Sequence, residues 1–252
     1  MTAELIVPRS RLEAHFGQVE KILKAHASGT AEPQLVTEWL TNSVVTGIVG
    51  TGCEVIQRNR GRAAQVAPAW RLSGETFAWI GYREEWALEP AAGATQRYSF
   101  RSTGITIHFG SIGEIDKPQM FRAEWSGFAK WSGDSYAFQA GNAGHPHWQF
   151  DAVDSLSSDE YSNEAKSLIG EIKSSDTEDI IREFSEEMIS DGIQNNLTCA
   201  KKLSRVHFAS AASWWKSDVS GAHAHAPNSV ADLSTWLEGT LAYLSEELVR
   251  LR

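Results

Sequence analysis

The chain has 252 residues, of which 42% are hydrophobic and 22% charged, and its formal net charge is −9. These proportions are typical of a globular protein with a sizeable core, and they exclude a collagen-like chain, a disordered tail and a disulfide-rich miniprotein. Because proteins that hold nucleic acid along a broad face usually carry clustered positive charge, the negative balance argues against extended nucleic-acid binding.

Residues 1–62 are predicted to form an N-terminal helical segment. Ser10 and Glu13 match a capping box, and apolar residues then recur every three or four positions, at Leu12, Phe16, Val19 and Leu23. Gly29 is expected to end this first helix. Pro33 is expected to open a second helix with a buried face made of Leu35, Trp39 and Leu40.

Residues 63–153 are predicted to form an aromatic-rich antiparallel β-meander, and six of the ten tryptophans lie there. Short β-branched and aromatic runs predict the strands, at 76–80, 98–101, 105–109, 121–131 and 136–139. Turns are expected between them at Ser73-Gly74, Thr103-Gly104, Lys117-Pro118 and Gly133-Asp134. The fold class predicted is therefore α+β, with this sheet flanked by N-terminal and C-terminal helical segments.

Residues 154–252 are predicted to be helical again, after a linker at 154–163, although the three regions could also form one compact domain. The last helix is predicted to begin after Asn228 or Ser229 and to bury Leu233, Trp236, Leu237, Leu241, Leu244 and Leu248. Residues 151–200 hold 13 acidic and three basic side chains, a net charge of −10. This stretch is either a solvated helical face or a docking surface for a basic partner.

The histidines provide the sharpest local motif, in the segment His145-Pro146-His147-Trp148-Gln149. Since alternate residues of a strand share a face, His145, His147, Gln149 and Asp151 would form a polar row, with Trp148 and Phe150 directed into the core. Pro146 cannot donate to a ladder and therefore predicts a strand start or an edge strand. In contrast, His15 and His26 are expected at the surface, and His108 and His207 stand alone, as structural histidines usually do.

This five-residue segment resembles the HPHxQ motif of the nucleotidylyltransferase branch of the histidine-triad superfamily. The resemblance implies that His147 is a nucleophile forming a covalent nucleotide intermediate, with His145 supporting it or binding a metal. It also implies that Gln149 contacts the phosphate. Without the resemblance, the residues are also compatible with an alternative in which His145 and His147 are hydrogen-bonded strand residues that have no catalytic role.

A metal site is a further hypothesis, since two imidazoles at alternate positions of a strand can approach one ion. His223 and His225 offer a second such pair, so a divalent metal bound by His145, His147, His223 and His225 is predicted if the fold brings the segments together. The cysteines, Cys53 and Cys199, are too far apart in sequence for a zinc pair or a disulfide framework.

Two other groups are candidate binding residues. Arg58, Arg60 and Arg62 could grip a nucleotide or phosphate, or form a solvated basic helix end. Trp214 and Trp215 could lie in a broad apolar face or anchor another protein.

Neither a signal-peptide pattern nor an apolar run long enough to span a bilayer is present in the sequence, so we expect a cytoplasmic protein without a membrane association. Phosphate-binding loops, nucleophile elbows and HExxH motifs are also missing from it. The sequence therefore favours a soluble binding or accessory subunit of a larger bacterial-type assembly, such as a defence or toxin-type system. The alternative is a histidine-dependent nucleotidyl transferase or phosphoester hydrolase, with or without metal, centred on His145, His147 and Gln149.

Overall fold

The computed structural model describes residues 4–56, 65–90, 95–115, 117–126, 146–150 and 227–249. These residues form two helices, α1 (Arg9–His26) and α2 (Val230–Val249), and eight strands. The strands are β1 (Ile6–Pro8), β2 (Glu32–Trp39), β3 (Ser43–Thr51), β4 (Val66–Ser73), β5 (Thr76–Leu88), β6 (Arg97–Ser111), β7 (Gln119–Ser126) and β8 (His147–Phe150). The fold is α+β, as predicted: a curled, antiparallel sheet and two helices.

The two longest strands, β5 and β6, form the centre of the sheet. They pair from Thr76 opposite Ser111 to Leu88 opposite Tyr98, with one β-bulge between Glu85 and Trp86. The other edge of β5 is shared by β4 and β3, and the other edge of β6 is shared by β1 and β7. The main strand order is β2-β3-β5-β6-β7-β8, which places β2 and β8 at its two ends.

Both helices pack on one face of this sheet and against each other. α1 buries the predicted apolar residues, with His15 and Ile22 in the same stripe. α2 likewise buries all six residues predicted for it. Side chains from α1, α2 and the sheet form a continuous core, in which Trp86, Trp125 and Trp236 are among the largest fully buried groups. Neither helix is long and apolar enough to cross a membrane.

The start of α2 confirms the predicted cap. The Asp232 amide donates to Ser229 Oγ at 3.3 Å, and the Ser229 amide donates to Asp232 Oδ2 at 3.0 Å. These reciprocal bonds satisfy amides that a helix start would otherwise leave unpaired. The predicted capping box of α1 is wrong, because Pro8 precedes the helix and no side chain caps it. Gly29 does not end α1 either, since the helix closes at His26.

The predicted second helix of the N-terminal segment is wrong. Residues 32–51 instead form the hairpin of β2 and β3, with Pro33 opposite Gly50 and Trp39 opposite Val44. Leu35 and Trp39 do pack against the core, but on one face of a strand. A spacing of four residues places two side chains on the same side in a helix and also in a strand, so it could not separate the two structures. The sheet thus begins well before residue 63.

The turn predicted at Thr103-Gly104 is also wrong, because β6 runs through both residues without interruption. The turn at Ser73-Gly74 is confirmed between β4 and β5, where Gly74 adopts a φ of 51°. Lys117-Pro118 lies in the connection between β6 and β7, as predicted. The expected turn at Gly133-Asp134, the strand at 136–139, the linker at 154–163 and the acidic stretch at 151–200 lie outside the described residues.

Candidate functional site

The strand that carries the histidine motif lies at the end of the sheet. β8 begins directly after Pro146 and pairs through β7 only, which confirms the predicted strand start and end position within the described residues. Trp148 is directed into the core, as predicted, where its ring lies 6.0 Å from Phe121 and 6.5 Å from Tyr243 of α2. β8 is therefore held against the helices by Trp148.

The register places the neighbouring positions of β8 beside charged residues. His147 pairs with Glu124, and Gln149 pairs with Arg122. Directly paired residues of an antiparallel ladder share a face, so positions 147 and 149 lie on the face opposite the helices, which we call the outer face. On that face Arg122 Nε lies 2.9 Å from Glu124 Oε1.

The outer face is polar where it approaches β8. One row of directly paired residues runs across six neighbouring strands and consists of Val36, Gly47, Arg83, Gly104, Glu124 and His147. Arg83 forms an ion pair with Glu85 at 3.2 Å, parallel to the pair of Arg122 and Glu124. Each arginine thus has a carboxylate partner, so an incoming phosphate would have to compete with that carboxylate.

The other predicted site residues are not placed. His145, His223, His225, Arg58, Arg60, Arg62, Trp214 and Trp215 all lie outside the described residues, and for His147 and Gln149 only the strand register is described. Over the described parts of the chain, no group of three or more His, Cys, Asp or Glu residues is arranged to hold a metal ion. The predicted convergence of the histidine pairs stays a prediction.

Three exposed aliphatic side chains lie on two neighbouring segments near the connection from β6 to β7. Val55, Ile112 and Ile115 are 66%, 55% and 64% exposed. Glu54 joins the two segments that carry them, because its carboxylate accepts the Gly113 amide at 3.0 Å. We call these three residues the aliphatic tip.

The segments that carry the aliphatic tip are held in place by the contacts of Lys117. Lys117 is buried, donates to Glu54 Oε2 at 2.6 Å and to the Glu114 carbonyl oxygen, and lies 4.3 Å above the Trp79 ring. These contacts satisfy the buried ammonium group with a carboxylate, a carbonyl and an aromatic face. They also fix the segments of Glu54 and Gly113 relative to the sheet.

His108 contacts the backbone of Lys117, and its expected structural role is confirmed. Its Nδ1 lies 3.1 Å from the Lys117 carbonyl oxygen and its Nε2 lies 3.0 Å from Thr106 Oγ1. The pKa of His108 is lowered to about 4 overall. Burial is the largest cause of this lower pKa; the hydrogen bond to the Lys117 carbonyl opposes it, and the charge of the Lys117 ammonium adds to it. At neutral pH the imidazole is therefore uncharged, donating from Nδ1 and accepting at Nε2.

A second set of polar residues was not predicted and lies on the helix face of the sheet. His15, expected at the surface, is buried, and its Nε2 lies 3.0 and 3.1 Å from the two carboxylate oxygens of Glu84. The same carboxylate accepts the Tyr82 hydroxyl and the Trp86 indole N–H. His15 Nδ1 lies 3.2 Å from Ser234 Oγ on α2. This buried network joins α1, β5 and α2.

The charge state of the network follows from its contacts. Burial would raise the pKa of Glu84, but the charge of His15 and the three side-chain donors outweigh it, so the pKa is lowered overall. Burial and the Glu84 charge raise the pKa of Tyr82 well above its usual value, which keeps its hydroxyl protonated as a donor. Because the carboxylate only accepts, His15 Nε2 carries a hydrogen, and Nδ1 faces Ser234.

The sequence contained a pattern that could have identified this network. His15 falls between Leu12 and Val19 at the spacing of the apolar stripe of α1. Glu84 falls in phase with Tyr82 and Trp86 on a strand whose alternate residues are buried. A polar residue in the buried phase of an element needs a buried hydrogen-bond partner, so both residues could have been marked as members of a buried polar network.

Comparison with known proteins does not assign the chain to a family: no protein-family model, no curated protein and no solved structure matches it.

Proposed function

We propose that this protein is a binding or accessory subunit of a larger protein assembly, and that it contacts another polypeptide through the aliphatic tip. The observation that carries the proposal is the exposure of Val55, Ile112 and Ile115 on two segments that the bond between Glu54 and Gly113 joins. Clustered apolar side chains at a surface are typical of protein–protein interaction sites, whereas single exposed ones are ordinary.

The hydrogen bonds that hold the segments of the aliphatic tip support the proposal. A contact surface that is already ordered loses little conformational freedom on binding, so more of the interaction energy appears as affinity. The bonds of Glu54 and Lys117 provide that order here. Burial of three aliphatic side chains would contribute roughly 1.5–3 kcal/mol for each side chain that becomes fully buried.

The partner that we propose is another protein subunit with an apolar recess for the tip. The acidic stretch at 151–200 and the pair Trp214 and Trp215 are proposed as further contacts, the acidic stretch towards a basic surface of that subunit. A cytoplasmic, bacterial-type assembly, such as a defence or toxin-type system, is the proposed setting.

Native mass spectrometry of the protein purified gently from its source tests this proposal. We expect the wild-type chain to carry at least one other polypeptide, and the double variant Ile112→Glu/Ile115→Glu to lose it. Leu40→Glu is the matched control, since Leu40 is 54% exposed but lies in the hairpin between β2 and β3. A wild-type chain that is found alone, or a complex that survives the double variant, would overturn the proposal.

The register of β8 favours a second candidate function. A nucleotidyl transferase or phosphoester hydrolase would need a cationic group beside the HPHxQ segment, and Arg122 is paired with Gln149. In this candidate His147 is the nucleophile, His145 supports it and Gln149 contacts the phosphate. A divalent metal at His145, His147, His223 and His225 could assist.

Incubation with labelled nucleotides, followed by intact-mass analysis, tests the second candidate. We expect a covalent nucleotide on the wild-type chain and on His26→Ala, and none on His147→Ala. Metal content of the same samples is read by plasma mass spectrometry. An unmodified wild-type chain that also lacks phosphodiesterase activity, with and without added Zn²⁺ or Mn²⁺, would exclude this function.

A further inference from the structure

The buried network ends at a side chain that is only partly buried. His15 and Glu84 have fully buried side chains, whereas Ser234 is partly exposed in the second turn of α2. Ser234 Oγ lies 3.2 Å from His15 Nδ1 and 3.3 Å from the Val230 carbonyl oxygen of the preceding turn. The hydroxyl is thus at the seam between α1 and α2, with the histidine behind it.

The order of groups is that of an activated nucleophile: a hydroxyl, a base within hydrogen-bond distance, and a carboxylate that orients the base. Glu84 binds Nε2 of His15 with both oxygens, so the other nitrogen is left to face the hydroxyl. Tyr82 and Trp86 fix the carboxylate from the far side. Because the Ser234 hydroxyl also donates to the Val230 carbonyl oxygen, it must turn from that carbonyl towards His15 Nδ1 before its proton can be transferred.

We propose that Ser234 is a nucleophilic serine that accepts an acyl or phosphonyl group from a reactive ester, with His15 as its base. This inference is independent of the aliphatic tip and of β8.

The chemical step is a simple displacement. With a fluorophosphonate, the Ser234 proton moves to His15 Nδ1 as the Oγ–P bond forms. The P–F bond breaks, and fluoride leaves with its electron pair. Glu84 stabilises the resulting imidazolium through Nε2, which is the role of the carboxylate in serine–histidine systems.

The experiment treats the full chain with an alkyl fluorophosphonate at pH 8 and locates the adduct by peptide mass spectrometry. Ser234 should react about 100-fold faster than the other serines, the lower end of what a positioned base contributes. Ser234→Ala should remove the adduct, and Ser28→Ala should retain it.

One readout does not depend on the folding of a variant. In 6 M guanidinium chloride the selective labelling of Ser234 should disappear, because the network requires the folded chain. Labelling of Ser234 no faster than other serines, or unchanged in guanidinium, would show that the network only ties the helices to the sheet.

Discussion

Replacement of Glu84 by glutamine removes one charge from the buried network while preserving the shape of the side chain. The carboxylate accepts hydrogen bonds from His15, Tyr82 and Trp86, and all of these groups are buried. A glutamine amide presents one oxygen and one NH₂ group, so at least one of these donors would face another donor. The variant therefore removes the negative charge that these donors face and also leaves one buried donor unsatisfied.

The magnitude follows from these two losses. A hydrogen bond to a charged group contributes about 1.5–3 kcal/mol, and an unsatisfied buried donor costs about 1–3 kcal/mol, with overlap between the two values. We therefore expect Glu84→Gln to lower the free energy of unfolding by about 3–5 kcal/mol. Because domains are stabilised by only about 5–15 kcal/mol, this is a large fraction of the total.

Urea unfolding followed by tryptophan fluorescence measures the change in the free energy of unfolding, which is read from the shift of the midpoint when the m value is unchanged. The control is Glu85→Gln, the same substitution one residue along β5, where the side chain is on the other face and paired with Arg83 near the surface. The control should change stability by less than about 1 kcal/mol. Equal losses for the two variants would refute the inference that the Glu84 carboxylate is the buried, charged acceptor of this network.

Three other substitutions or conditions test separate parts of the fold. The pKa of His108 is about 4 in the folded chain, mainly because the residue is buried, so as the pH falls below about 6.5 the imidazole is protonated in the unfolded chain before it is protonated in the folded chain. The free energy of unfolding, measured with urea, should therefore drop by about 2–3 kcal/mol by pH 4.5. The variant His108→Gln should show a weaker dependence on pH. Gly52→Ala should lower the melting temperature more than Gly113→Ala: both glycines have positive φ, but a new Cβ would lie 2.5 Å from the Thr30 carbonyl oxygen at Gly52 and would meet no atom within 4 Å at Gly113. Glu20→Gln should increase hydrogen exchange at the Leu35 amide, which donates to Glu20 Oε2 at 2.9 Å; an unchanged rate would mean that α1 does not protect the edge of β2.

The helices could be predicted because one physical requirement defines each of them. A surface helix must bury one stripe, and Leu12, Phe16 and Val19 reveal that stripe in α1 as Leu233, Leu237 and Leu241 do in α2. The long strands β5 and β6 were recognisable for the same reason, with alternate or continuous apolar residues.

The errors arose where one pattern fits two structures. Leu35 and Trp39 match a helix face and a strand face equally well, and only pairing with β3 decides between them. Gly104 was expected in a turn, but it lies within β6, opposite Glu124. A glycine predicts a turn only when the backbone needs a positive φ, which Gly74 and Gly113 adopt.

The phases of His15 and Glu84 could have marked each of them as buried, but the sequence could not show which groups they contact, because the members of the network come from distant segments. His15 and Ser234 are 219 positions apart, and Glu84 lies between them on another element. The same holds for Val55 and Ile112, whose neighbourhood depends on the bond between Glu54 and Gly113. Tertiary pairing alone brings such residues together, so sequence periodicity carries no information on it.

The most direct test of the central claim, that the aliphatic tip binds another polypeptide, is hydrogen exchange of the chain alone and within its isolated complex. We expect slower exchange on binding at the amides of residues 53–56 and 111–115, and no change at the hairpin between β2 and β3. Protection at that hairpin with unchanged exchange at the tip would contradict the account.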